Sequence, residues 1–285
     1  MATKYWWGKY PGAEGDYSNA NNWIPVNVPG AGDTVILRES DQSVTEGLDQ
    51  SAVAVTNFQV EESYSGNIGS ALAPLLLNCT DDISYMGSGD AFLTTSSSQP
   101  DTLLVKMPAS STGTLHTVSG TFGGSKEILE AYLFRGRWEH HSGDIASMYV
   151  THVSNVASDA YMTLHTGNVT TAYVYAGTLE MISGDITVLQ WAGSIIIHNG
   201  DADDPTIYGG TMDWRTKNTA GTVNVYGTAT FTVQNDDRAK AIGNVYAYGT
   251  PTLLLDNRNV TYTAVYSVGD PTIVWPSDLR TITIA

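Results

Sequence analysis

Residues 177–193 read GTLEMISGDITVLQWAG, and residues 193–210 begin again with GSIIIHNGDADDPTIYGG. A glycine opens each stretch, a short alternating run follows, a Gly-Asp corner interrupts it, and a second run leads to the next glycine. The pattern extends in both directions. Turns of the first kind fall at Gly136, Ala160, Gly177, Gly193, Gly210, Gly227, Gly249 and Gly269, 16 to 24 residues apart, and Gly113 fits one step earlier. Internal periods of this size are the mark of a stacked repeat.

The second and fourth residues after these turns are Trp138 and His140, Met162 and Leu164, Leu179 and Met181, Ile195 and Ile197, Met212 and Trp214, Ala229 and Phe231, Pro251 and Leu253, Pro271 and Ile273. All but His140 are apolar. The first and third are mostly polar, as in Thr178, Glu180, Thr211, Asp213, Thr228 and Thr230. This is period-two alternation, a strand with one face buried. The second corner recurs as SGDI at Ser142 and Ser183, TGNV at Thr166, NGDA at Asn199 and IGNV at Ile242. Glycine supplies positive φ there and Asp or Asn bonds the local backbone.

A strand-corner-strand-corner unit this small cannot bury its own apolar face, so it must stack on copies of itself. The expected fold is all-β: a parallel β-helix solenoid, right-handed because parallel crossovers favour that hand, with about 16–24 residues per coil. Leu179, Ile195 and Met212 are expected to pile vertically. Eight coils at strand spacing span about 40 Å. Residues 113–285 form the regular coils and 35–112 irregular ones, where VILRES, AVAVTNFQV, LAPLLLNC and DTLLVKM read as strands. Residues 1–34, with Trp6, Trp7 and Trp23 between PGAEG and VPGAG turns, read as an N-terminal cap or as an anchor to a partner.

Charged residues are only 15% of the chain, so its polar surface is built from Thr, Ser, Asn and Gly, as in strand-and-turn proteins. A formal charge of -16 disfavours nucleic acid and anionic membrane as partners. Cys79 is the single cysteine, so no internal disulfide forms, and a small buried apolar role is expected for it. No signal peptide and no membrane-spanning run is read in the sequence. Synthesis in a host cytoplasm is expected.

The run SNANNWIPVNVPGAGDTVIL, Ser18 to Leu37, resembles the N-terminal lead-in segments of bacterial and bacteriophage β-helix proteins, where a W-x-x-x-x-P-G-x-G-D-x-V-type phrase precedes the first coil. Such proteins include capsid decoration proteins, tailspikes and exported adhesins. The resemblance implies a virion component, most directly a non-enzymatic capsid decoration or cement protein. It would attach through its N-terminal segment to other virion proteins, the major capsid protein first, and to itself as a homo-oligomer. A polysaccharide-binding or -cleaving spike and an exported adhesin are the alternatives. The C-terminal LRTITIA ends on an alternating run that needs covering.

Side chains capable of chemistry are sparse. Glu139, Glu180 and Asp213 share an outward register; Glu180 and Asp213 would lie about 10 Å apart, with Ile196 between them. They read as an exposed polar ladder. His141, His165 and His198 occupy the fifth position after their turns, with His116 near it, and His141 would lie beside His165. No cysteine or clear carboxylate completes a metal shell, so no metal or other cofactor is expected. Asp201, Asp203 and Asp204 in NGDADDP, and Asp236 and Asp237 in QNDDR, are weak Ca²⁺ candidates. An aromatic file of Tyr175, Trp191, Tyr208, Tyr226, Tyr248 and Tyr266 reads as cross-strand packing or a contact face.

Overall fold

The computed structural model describes residues 1–95, 100–109, 111–119, 128–151, 160–190 and 192–275; LRTITIA lies outside them. Among these residues the chain is all-β with predominantly parallel strand pairing, plus a three-residue 3-10 turn at Ala20–Asn22. No helix among them is long and apolar enough to cross a membrane. The chain divides into two compact units, Met1–Ala146 with Asp159–Tyr161, and Ser147–Ser158 with Met162–Ala285.

In the second unit each strand pairs in parallel with the strand two ahead of it in the chain. The short strands Thr178–Met181, Ser194–Ile197, Thr211–Trp214, Thr230–Thr232, Thr252–Leu254 and Thr272–Val274 form one ladder. Its central register runs Leu179, Ile195, Met212, Phe231, Leu253, Ile273. The strands between them form a second ladder, with Val223, Val245 and Val265 in register. Leu179, Ile195, Met212, Phe231 and Leu253 are all buried. Each such side chain removed from water contributes about 1.5–3 kcal/mol, so these ladders dominate the stability.

One expectation is corrected. Sequence alignment on the glycines matches Met212 with Ala229, but Met212 pairs with Phe231. The corner after Gly227 holds two more residues, Thr228 and Ala229, than the corner after Gly210. A strand has period two, so a two-residue slip leaves every side chain on its own face and escapes the pattern. Gly227 itself pairs with Gly249, and Gly249 with Gly269, at the ends of the longer strands.

The corners are close-packed backbone on backbone. Gly210 has φ +73, and a Cβ there would sit 2.2 Å from the carbonyl oxygen of Gly193. Thr211 N–H donates to that same oxygen at 2.9 Å. Only glycine satisfies both the left-handed conformation and the close approach.

The first unit is also predominantly parallel but less regular: Thr34–Leu37 pairs with Asp49–Val60 and Asp49–Val60 with Leu75–Tyr85, each the next strand in the chain. Thr34–Leu37, Asp49–Val60, Leu75–Tyr85, Thr102–Lys106 and Ile128–Ser142 bring Val35, Phe58, Ile83, Leu103 and Ala131 into register. A second register runs Leu75, Leu93, Thr117, His140, where the apolar ladder turns polar. The polar members satisfy one another. Trp138 Nε1 donates to Thr117 Oγ1 at 2.8 Å, Thr117 Oγ1 meets His140 Nδ1 at 2.7 Å, and His140 Nε2 meets the Gly143 carbonyl at 3.1 Å. Cys79 is buried, and desolvation pushes its thiol up to about 12.

Candidate functional site

The Ser18–Leu37 run builds a small sheet at the start of the first unit. Thr3–Trp6 pairs antiparallel with Trp23–Ile24 and parallel with Thr34–Leu37. The registers separate two faces. Trp23, Trp6 and Leu37 form the inner row, and Ile24, Tyr5 and Ile36 the outer one. Trp6 and Trp23 are 3% and 0% exposed and pack with Tyr17, the three rings 4.7–6.2 Å apart. They are core. Trp7 is 41% exposed and Ile24 56%. The Arg38 guanidinium lies 4.0 Å over the Tyr5 ring. Trp7 and Ile24 are thus exposed, with Tyr5 half-buried opposite Ile24, and of the three tryptophans only Trp7 is exposed.

Two polar residues hold this sheet, and neither was evident in the sequence. Asn22 is fully buried; its Oδ1 accepts from Tyr10 N–H at 2.9 Å, and its Nδ2 donates to the Ala13 and Asp16 carbonyls. Asp33, the aspartate of the PGAGD phrase, accepts from Ala2 N–H at 2.7 Å and Gly30 N–H at 3.0 Å. Burial alone would raise its pKa, but those two hydrogen bonds and the charge of Lys4 outweigh it and hold the carboxyl below its usual range.

Among the described residues the aromatic file runs through Tyr208, Tyr226 and Tyr248 and stops short of Tyr266. Tyr208, Tyr226 and Tyr248 stack face to face, with centroids 5.1 and 4.7 Å apart. Tyr266 does not continue this stack: it pairs with Tyr246, 4.7 Å away, while Tyr248 pairs with Val268. Tyr175 is exposed. Trp191 lies outside the described residues, as does the side chain of Asp203.

Among the carboxylates, Glu180 and Asp213 both pair with Ile196 in the backbone ladder. Each has a partner of its own. Glu180 Oε1 lies 2.7 Å from His198 Nε2, and Asp213 Oδ2 accepts from Arg215 and from Asn235. Asp204 Oδ1 caps Thr222 N–H at 2.8 Å, and Asp201 pairs with Asp185 in the backbone ladder. Asp236 binds Arg238 Nε and the buried ammonium of Lys240, each at 2.8 Å. Burial raises the Asp236 pKa, but these cations outweigh it and lower it.

A group that sequence reasoning missed lies in the first unit. Thr114–Ser119 pairs in parallel with Ile128–Ser142, placing His116 opposite Glu139, and the register shifts just beyond, at His141. His116 Nδ1 and His141 Nε2 are 3.1 Å apart, and Glu139 Oε2 lies 3.5 Å and 4.0 Å from them. Among the described residues this is the one group of three or more His, Cys, Asp or Glu side chains arranged to hold a metal ion. Both imidazoles line an apolar cavity of about 490 Å³ with Ala71, Pro74, Phe92 and Leu93. Glu139 and His141 stand two residues apart on one strand face. Only the unread pairing of two strands brings His116 to them.

No known protein family, curated protein or solved structure matches this chain. Its function therefore rests on its own residues.

Proposed function

We propose that the chain is a non-enzymatic structural component of a bacteriophage virion, a capsid decoration protein attached by its N-terminal sheet. In this reading each unit winds as a right-handed parallel β-helix. The two-ahead parallel pairing and the unbroken register from Leu179 to Ile273 support that winding. The observation that carries the attachment is the outer face of the first sheet. Tyr5, Trp7 and Arg38 are of the residue types that dominate protein interfaces, and with the exposed Ile24 they sit beside a rigid support, the buried Trp6–Tyr17–Trp23 cluster. The partner is the major capsid protein. Self-association is supported by Val268, which is 65% exposed on a late strand.

The test is reattachment of purified protein to capsids that lack it, followed by quantitative mass spectrometry of washed particles. Wild-type protein should bind in many copies per particle. The double variant Trp7→Ser, Ile24→Ser should fold and fail to bind. Binding of that variant at the wild-type level refutes attachment through this face. A second reading, contact with polysaccharide, draws on the stacked Tyr208, Tyr226 and Tyr248. It predicts glycan binding that Tyr226→Ala abolishes.

A further inference from the structure

We propose that His116, Glu139 and His141 bind a divalent transition-metal ion of the zinc type, a property beyond the structural role above. Two imidazoles and one carboxylate are a donor set suited to such an ion, and three protein ligands leave a position for water. Two metal–nitrogen bonds of about 2.05 Å at a tetrahedral angle place their nitrogens about 3.3 Å apart. His116 Nδ1 and His141 Nε2 already stand 3.1 Å apart. Glu139 Oε2 must approach His141 by about 0.7 Å to reach the same tetrahedral spacing, within reach of rotation about its soft terminal torsion.

The surroundings orient each donor. Arg137 holds the other carboxylate oxygen, its Nε 3.0 Å and its terminal nitrogen 2.9 Å from Glu139 Oε1, so that Oε2 is the oxygen nearest the imidazoles. Phe92 stacks on the His116 ring at 4.2 Å with planes 3° apart, fixing its tilt. His116 and His141 are themselves stacked at 5.3 Å. The side chains of His116 and Glu139 are each 18% exposed, so desolvation is partial and an ion can enter. In the absence of metal one of the two facing nitrogens carries the proton between them. On binding, that imidazole moves its proton to its other ring nitrogen, and both facing lone pairs then go to the ion. The ion would tie the Thr114–Ser119 strand to its neighbour through side chains, beside a cavity from which water or a small ligand can fill the open position.

The test is isothermal titration calorimetry of the full chain, stripped with a chelator, against zinc chloride. One equivalent should bind saturably. His116→Ala and His141→Gln should each weaken binding by about a hundredfold while circular dichroism stays unchanged. His141 is the more exposed of the two, so His141→Gln keeps the test open if His116→Ala misfolds. His198→Ala removes a histidine that faces a single carboxylate, Glu180, and should leave the affinity as it was. Absence of a saturable equivalent overturns the proposal. So does binding that survives both His116→Ala and His141→Gln, or that disappears with His198→Ala.

Discussion

The two units both stack parallel strands on buried apolar rows, but they differ in how regularly they do so. The second is built on apolar residues that succeed one another at equivalent positions, Leu179 to Ile273. Its buried polar exceptions include the Lys240 side chain, 0% exposed and neutralised by Asp236; Asp213, held by Arg215; and Asn257, which donates to the Val233 and Asp236 carbonyls. The first unit carries single-use polar devices: Asn22, Asp33, and the Trp138–Thr117–His140 chain. Interchangeable apolar residues specify which face points inward but not which strand meets which. A unique polar contact fixes one position, because a buried donor or acceptor that misses its partner is costly. Irregular spacing in the first unit is thus accompanied by residues that can work in only one register.

Substitutions can break that comparison. The largest effect is expected for Asp236→Ala, which leaves the buried Lys240 ammonium without its carboxylate. It should cost about 3–5 kcal/mol in urea unfolding, as removal of one partner of a buried pair does. A loss under about 1 kcal/mol would mean Lys240 reaches water. Next, Ile195→Ala and Leu103→Ala, one in each unit and both buried, should each cost about 3 kcal/mol. Unequal costs would show that one ladder collapses around a cavity and the other does not. Asn22→Ala should follow at about 2 kcal/mol, since Tyr10 N–H and the Ala13 and Asp16 carbonyls lose their partner together. If Asn22→Ala is silent in the same assay, the first unit is held by its tryptophans alone.

Acid should act on both units, because Asp33 in the first and Asp236 in the second each have a lowered folded-state pKa. Asp33 has a lowered pKa in the folded state. Its contribution is therefore present above the unfolded carboxylate value of about 3.9 and disappears as pH falls through the lower folded one. Asp33→Asn should flatten that part of the stability–pH curve, and an unchanged curve would remove Asp33 from the account. The smallest effect belongs to Tyr226→Ala, about 0.5–1 kcal/mol for a stacked cross-strand ring. A larger value would make the Tyr208–Tyr226–Tyr248 stack structural and weaken its reading as a contact face.

Alternation together with the recurring corners 16 to 24 residues apart was enough to tell that this chain is all-β, that its strands pair in parallel, and that Leu179, Ile195 and Met212 lie in one row. The inward face follows from local geometry, since side chains alternate along any strand, and the parallel row follows from a repeat that can bury its apolar face only by stacking on copies of itself. The tertiary structure decided matters that depend on distances between strands. These are the two-residue slip after Gly227, the assignment of Trp6 and Trp23 to the core and Trp7 to the surface, the shift of Tyr266 onto Tyr246, and the meeting of His116 with Glu139 and His141. A period of two is blind to even shifts, and corner lengths set which residues become neighbours. Cross-strand partners are therefore fixed only when the whole ladder is in place.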